Sequence, residues 1–329
     1  MMQSDEKKYS VFIVPTGIGA SIGGFAGDAS CYARKIAEKK PLIVNPNVVN
    51  AACFSGISPQ MLYTEGWTIS QLLKGNVSLI PSKNNKIGVI FDKAISKEIL
   101  NIHINTINAV KTVYGCDVIG YEITDEECGV EFFMTEEGIS TGALKNNNTL
   151  LISAERLIKK GAEAIAVVCH FDEPPDDNYK DGEGADIIGG VEAIISHYLT
   201  SKLFVPVVHA PAFEKIEITE EIVDARAASE YITPTFLPCL LLGLQNAPLI
   251  HKGLAEEYIS VNNISSLIMP YNSLGSSIVL DALKKGIKVI AVQENKTVLN
   301  IDKYALMLND DIIAVDSYED CLETLEKVY

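Results

Sequence analysis

Residues 11–24 read Val-Phe-Ile-Val-Pro-Thr-Gly-Ile-Gly-Ala-Ser-Ile-Gly-Gly. Four consecutive apolar residues that stop at a proline and a glycine-rich turn describe a strand buried on both faces, followed by a tight loop. Residues 28–38 then place Cys31, Ala33 and Ile36 among polar neighbours, the pattern of an amphipathic helix. The same unit recurs along the chain. Apolar runs at 41–44, 86–91, 116–121, 162–169, 204–209, 264–269 and 287–292 alternate with helical stretches that include 150–160, 191–199 and 278–285. This alternation predicts an α/β fold of mostly parallel sheets with helices on both faces.

An internal echo extends the reading. Pro270-Tyr271-Asn272-Ser273-Leu274-Gly275-Ser276-Ser277 follows a strand as the turn at 15–24 does, and Asp281-Ala282 answers Asp28-Ala29. Asn295 to Asn300 answers Asn45-Pro46-Asn47, and Tyr63-Thr64-Glu65-Gly66 resembles Met134-Thr135-Glu136-Glu137-Gly138. Chance likeness between two βαβ units is the competing reading. The sharper one is two pseudo-symmetric lobes facing each other across a ligand cleft. The lobes would be residues 1–80 together with 262–329, and residues 81–261, divided at the polar turn 81–85.

With 27 Lys+Arg against 43 Asp+Glu, the formal net charge is −16, which argues against nucleic acid as a partner. The first eight residues are polar and do not form a signal peptide, and no run of about 18 apolar residues offers a membrane span. Seven scattered cysteines without a CxxC pair suggest reduced thiols, hence a cytoplasmic protein, with no clustered metal site. A homo-oligomer is left open.

Gly17, Gly19, Gly23 and Gly24 leave backbone N–H groups uncovered before a helix, and Thr16 and Ser21 add hydroxyls, so an anion is the expected ligand of this turn. The spacing also resembles a dinucleotide turn. However, Asn45 and Asn47 stand where a ribose-binding acid is wanted, and no Lys-Ser/Thr follows for a phosphate loop. At the end of a second buried strand stands Cys169-His170-Phe171-Asp172-Glu173, and His209 ends another, with Glu214 beyond it. His170 and His209, oriented by Asp172, Glu173 or Glu214, could move protons or hold a divalent metal. Cys169 and Cys239 invite a two-thiol racemase reading, against the commoner role of buried cysteines as small apolar residues. Glu65 and Glu136 could be paired carboxylates or helix caps. Ser140 and Thr141 suggest a second anion-binding turn, while His197, inside a helix, reads as structural. The stretch 172–186 is acidic and turn-rich, as binding loops often are.

The runs PTGIGASIGGFAGDA, NPNVVN, GGVEAIISH, HAPA and ENKTVL resemble one family over the whole chain, a domain of unknown function found in bacteria and in photosynthetic organisms. The resemblance implies one full-length unit and carries no activity to transfer. The residues themselves lead to an enzyme acting on a small anionic metabolite (a carboxylate, amino-acid or phosphate compound) by acid–base chemistry, of isomerase, racemase or lyase type, with no organic cofactor expected. The alternatives are a metal-assisted hydrolase or lyase built on His170, Asp172 and His209, and a non-catalytic metabolite-binding regulator.

Overall fold

The computed structural model describes residues 9–25, 27–172, 179–215 and 218–327. Expectations that fall on the first eight residues, on Glu173 and on residues 174–178 of the acidic stretch therefore lie outside the described residues. Ten strands form two parallel sheets. In chain order they are β1 (Tyr9–Phe12), β2 (Leu42–Val44), β3 (Met61–Tyr63), β4 (Ile87–Phe91), β5 (Val118–Ile123), β6 (Ala164–His170), β7 (Val207–Ala212), β8 (Ile264–Pro270), β9 (Lys288–Val292) and β10 (Ile312–Val315). The larger sheet runs β10-β9-β8-β1-β2-β3 and the smaller β7-β6-β4-β5, with every neighbouring pair parallel. Short antiparallel ribbons, such as that of Val130–Met134 with Ser140–Leu144, complete the strand pairing.

Continuous burial of the inner strands follows from their composition. Every residue of β4 and β8 is buried, which only helices on both faces can achieve. Those helices are α1 (Ser30–Lys39), α2 (Gly66–Lys74), α3 (Lys97–Tyr114), α4 (Asn147–Lys159), α5 (Gly189–Leu203), α6 (Leu237–Gln245), α7 (Ser277–Lys284) and α8 (Tyr318–Lys327). One face of the larger sheet, with Val11, Ile43, Leu267 and Val289, packs with Ile69, Leu72 and Leu73 of α2 and Val279 of α7. Its other face, with Phe12, Val44, Ile268 and Ile290, belongs to a core that continues through Leu237, Leu240 and Leu241 of α6 to Val89, Ala166 and Ala210 of the smaller sheet. The two sheets thus share one apolar interior.

The echoing units do not face each other across a cleft. Their strands β1–β2 and β8–β9 lie side by side in one sheet, which grows outward in both directions from the β1/β8 seam. Such a seam is a topological switch point, and the carboxyl ends of its strands open a crevice. Asn45 fixes this edge. Its Oδ1 accepts from the Val14 N–H at 3.0 Å and its Nδ2 donates to the Val14 carbonyl at 2.8 Å, prolonging the β1/β2 ladder beyond the strands. A side-chain amide offers a donor and an acceptor side by side, which an ionised acid does not, and this accounts for an asparagine where a dinucleotide site would want an acid. Asn47 adds a bond from Nδ2 to the Pro15 carbonyl at 3.2 Å. An Asn45→Ala substitution should cost about 1–3 kcal/mol, since it orphans the buried Val14 N–H and leaves the Val14 carbonyl only the 3.4 Å bond from Asn47 Nδ2. Urea unfolding of the variant against the parent measures it.

Candidate functional site

The crevice is a cleft of about 1110 Å³. Pro15 and Thr16 after β1, Asn45 and Asn47 after β2, Glu65 after β3 and Ser276 after β8 line one side, and β7 and α5 line the other. Helix α5 packs on both β7 and α2, so it joins the smaller sheet to the larger and hangs its polar residues over the space between them.

Three of those residues are Glu192, Ser196 and His197. Ser196 Oγ donates to the Ala193 carbonyl at 3.2 Å and lies 2.9 Å from Nδ1 of His209. A hydroxyl has one proton, so His209 Nδ1–H is the donor of that pair and Nε2 is left as an acceptor. Burial, reinforced by the neighbouring His197, pushes the His209 imidazole down to about 3 and keeps it neutral at ordinary pH. His103 on α3 reaches the same cleft, with Nδ1 2.9 Å from the Ile99 carbonyl and Nε2 without a partner among the described residues.

His197 is held differently. Its Nε2 lies 3.3 Å from Oε2 of Glu65, which is 2% exposed. Glu65 is the N-cap of α2: Oε2 accepts from Trp67 N at 2.7 Å, and Oε1 accepts from Thr68 N at 2.6 Å and from the Thr68 hydroxyl. Burial raises the Glu65 carboxyl, while His197 and the bonds from Thr68 and Trp67 pull it back. Gly66 makes the approach feasible, because a Cβ there would stand 3.1 Å from His197 Nε2.

At the other end of the cleft, one turn earlier on α5, sits Glu192, with Asp186, Glu230, Tyr179 and Tyr231 on the surrounding wall. Burial, and then repulsion from Asp186 and Glu230, raises the Glu192 carboxyl well above the usual carboxylate range. Lys180 and Lys215 also line the cleft, and Lys180 pairs with Glu221 at 3.5 Å.

Of the residues singled out from sequence, Thr16, Gly24, Asn45, Asn47, Glu65, Ser140, Thr141, His197, His209 and Cys239 line this cleft. The rest do not converge on it. His170 and His209 cannot share a substrate, because His209 is in register with Val167, and Val167 and His170, three apart on one strand, project to opposite faces of the sheet. His170 Nε2 instead lies 3.4 Å from Glu214 Oε1. Asp172 is exposed, and so is Glu136, which is not opposite Glu65. Cys169 and Cys239 are buried in different cores; a bond with Cys128 and then burial raise the Cys169 thiol, and burial raises that of Cys239, which argues against the two-thiol reading.

The glycine turn also differs from expectation. Ser21 N donates to the Lys296 carbonyl at 2.7 Å, Ile22 N to Asn295 Oδ1 at 3.0 Å and Gly23 N to Asp28, so those amides hold protein acceptors rather than an anion. Gly17, at φ +74°, lets the turn lie against Ser140, whose N–H donates to the Gly17 carbonyl at 2.8 Å. Ser140 Oγ donates to the Ile187 carbonyl at 2.6 Å and accepts from Gly190 N at 3.0 Å, tying the turn to the start of α5.

Among the described residues, three potential metal ligands converge within 4.8 Å only at Asp92, Cys128 and Cys169, away from the cleft. Both Asp92 oxygens there accept backbone N–H groups, from Ala94 and Cys128 at 3.1 Å and from His170 at 3.3 Å. His197, Glu192, Ser196, Asp186 and Glu230 were missed. The available signal was a glutamate followed four and five residues later by serine and histidine, in a helix too apolar to lie on the surface.

His209 binds no proton in the folded state until far below the pH at which it titrates unfolded. Its contribution to stability is therefore full above about pH 6.5 and is lost as pH falls toward 3. Between pH 7 and pH 5 the parent should lose about 2 kcal/mol that a His209→Asn variant does not. Urea titrations of both proteins at the two pH values read the difference directly.

A cyanobacterial protein from Synechococcus, named an uncharacterized lipoprotein, is 36% identical over 299 residues, covering 89% of this chain and 83% of its own length. A lipoprotein is held at a membrane by covalent lipid, and on this finding the expectation of a cytoplasmic protein is corrected. Among the described residues no helix is long and apolar enough to cross a membrane. The family described as protein of unknown function (DUF3326) matches residues 9–327, which cover both sheets and the whole cleft lining, and the chain belongs to that family.

Proposed function

We propose that the cleft is the active site of an enzyme that isomerises, racemises or eliminates a small anionic metabolite by moving a proton. The observation that carries this reading is the pair of differently held imidazoles on one wall. His197 is oriented through Nε2 by a buried carboxylate and keeps Nδ1 for exchange, the arrangement by which a carboxylate fixes the tautomer of a catalytic histidine. His209 stays neutral and presents Nε2 as an acceptor to a substrate hydroxyl or amine. The two act on one another electrostatically, so an anion bound between them would favour the protonated form of either.

The acidic part of the substrate has the hydroxyls of Thr16, Thr141 and Ser277 and the ammonium groups of Lys180 and Lys215 within the same lining. The amides of the glycine turn are not needed for it. The turn's role in this reading is to hold Thr16 and the start of α5 in place.

Proton exchange into small carboxylates and amino acids in deuterium oxide, followed by NMR, tests the reading. His197→Gln should lower the exchange rate about 10²-fold or more, the usual worth of a positioned acid–base group, while His170→Ala leaves it unchanged. Equal rates in the parent and in His197→Gln would sink it. Gly66→Ala should act as a milder version of the His197 change. Its Cβ, 3.1 Å from His197 Nε2, crowds the imidazole at Glu65 without removing any group, so exchange falls by less than in His197→Gln.

A further inference from the structure

The proton-transfer reading leaves Glu192 unused. Its residue is 9% exposed and lines the cleft, and among the described residues no hydrogen bond or ion pair holds its carboxyl. The charges acting on it are Asp186 and Glu230, both of its own sign and both on the cleft wall. A carboxyl at this depth next to two others keeps its proton unless a cation meets it and stabilises the charged form. A metal ion is the poorer candidate, since these three carboxylates do not converge as the Asp92 cluster does. Tyr179 and Tyr231 stand on the same wall, and Tyr179 is braced by Phe25 at 4.6 Å between ring centroids. Carboxylates flanked by aromatic faces suit an organic ammonium, which donates hydrogen bonds to the one and gains cation–π attraction from the other.

We infer that the Glu192 end of the cleft binds a protonated primary amine of the substrate, so that the compound taken up carries an ammonium as well as an acid group. That the bound amine is a substrate, rather than an effector, rests on the proton-transfer reading. Glu192 and Ser196 are one turn apart on α5, about 6 Å along its axis. An amine on Glu192 therefore sets the neighbouring carbons of a small amino acid within reach of His197 and His209. The ammonium also has the protein's net charge of −16 in its favour, where a pure anion would be repelled.

Calorimetric titration of the full chain with n-butylammonium, and with neutral 1-pentanol and butanoate as isosteres, is the test. Butylammonium should bind and both isosteres should bind at least about tenfold more weakly; Glu192→Gln should weaken the amine about tenfold, the worth of one charge-assisted hydrogen bond. His197→Gln should bind it as the parent does, which separates failure of this site from failure of the proton-transfer reading. Butylammonium binding no tighter than pentanol, or binding indifferent to Glu192→Gln, overturns the inference. Displacement of the amine by magnesium or manganese with the same Glu192 dependence overturns it in favour of a metal site. Asp186→Asn, which keeps an oxygen to accept the Ile188 N–H, provides an independent variant should Glu192→Gln fold poorly.

Discussion

The Glu65 carboxylate ends β3, caps α2 and meets His197 of α5, three jobs in three different elements. A carboxylate this deep is affordable only because both oxygens are engaged: the first-turn N–H groups of α2 and the Thr68 hydroxyl supply fixed partial positive charge, and the imidazole supplies the rest. A cap alone is worth about 1 kcal/mol. Desolvating an unpaired carboxylate costs more than that, so the capping bonds and the histidine are jointly required. The larger sheet, through β3 and α2, and the smaller one, through α5, are consequently coupled at the point where the cleft is narrow in chemistry as well as in space. Gly66 belongs to the same constraint, because any side chain there would occupy the path by which His197 reaches Glu65.

The fold was largely legible because parallel strands announce themselves. Val11–Phe12, Ile87–Phe91 and Ala164–Cys169 are apolar without alternation, and burial on both faces is the only environment that accepts such runs. Strand order was less accessible. The echo between residues 15–47 and 270–300 is visible in sequence, yet it does not say whether two similar units oppose one another or lie side by side. Pairing of β1 with β8 decides that, and the contact spans more than 250 residues. The cysteines misled for a related reason. Buried, separated thiols stay unpaired in any compartment, so their scatter reports packing rather than location.

Part of the cleft lining was legible in the sequence and part was not, and the two parts separate by physical cause. Strand ends were the right places to look, and His209 and Glu65 are there. Which of two strand-end histidines faces a cleft depends on the parity of β6 against β7, a matter of register that a single strand does not disclose. His197 was set aside as a helix residue, although helix α5 is the element that bridges the sheets. The glycine turn stood out in sequence for the backbone N–H groups it leaves uncovered, but its positive φ angles at Gly17, Gly19 and Gly23 serve close packing. Asn295 consumes the Ile22 N–H and carbonyl, at 3.0 and 2.7 Å, as Asn45 consumes those of Val14. Two asparagines thus do in the two echoing units what a bound anion was expected to do in one.

The acidity of the chain takes on a different meaning once the cleft is populated. An excess of sixteen negative charges repels a small anion at long range, and local dipoles at a helix start cannot reverse that beyond about a Debye length, roughly 8 Å at physiological ionic strength. A zwitterion feels little net force from the same field but is turned by it, ammonium first. In the amine reading proposed above, Glu192, Asp186 and Glu230 would receive that end, and the hydroxyls of Thr16 and Thr141, in the same lining, would be left for the acid. On that reading the field selects an orientation rather than a charge.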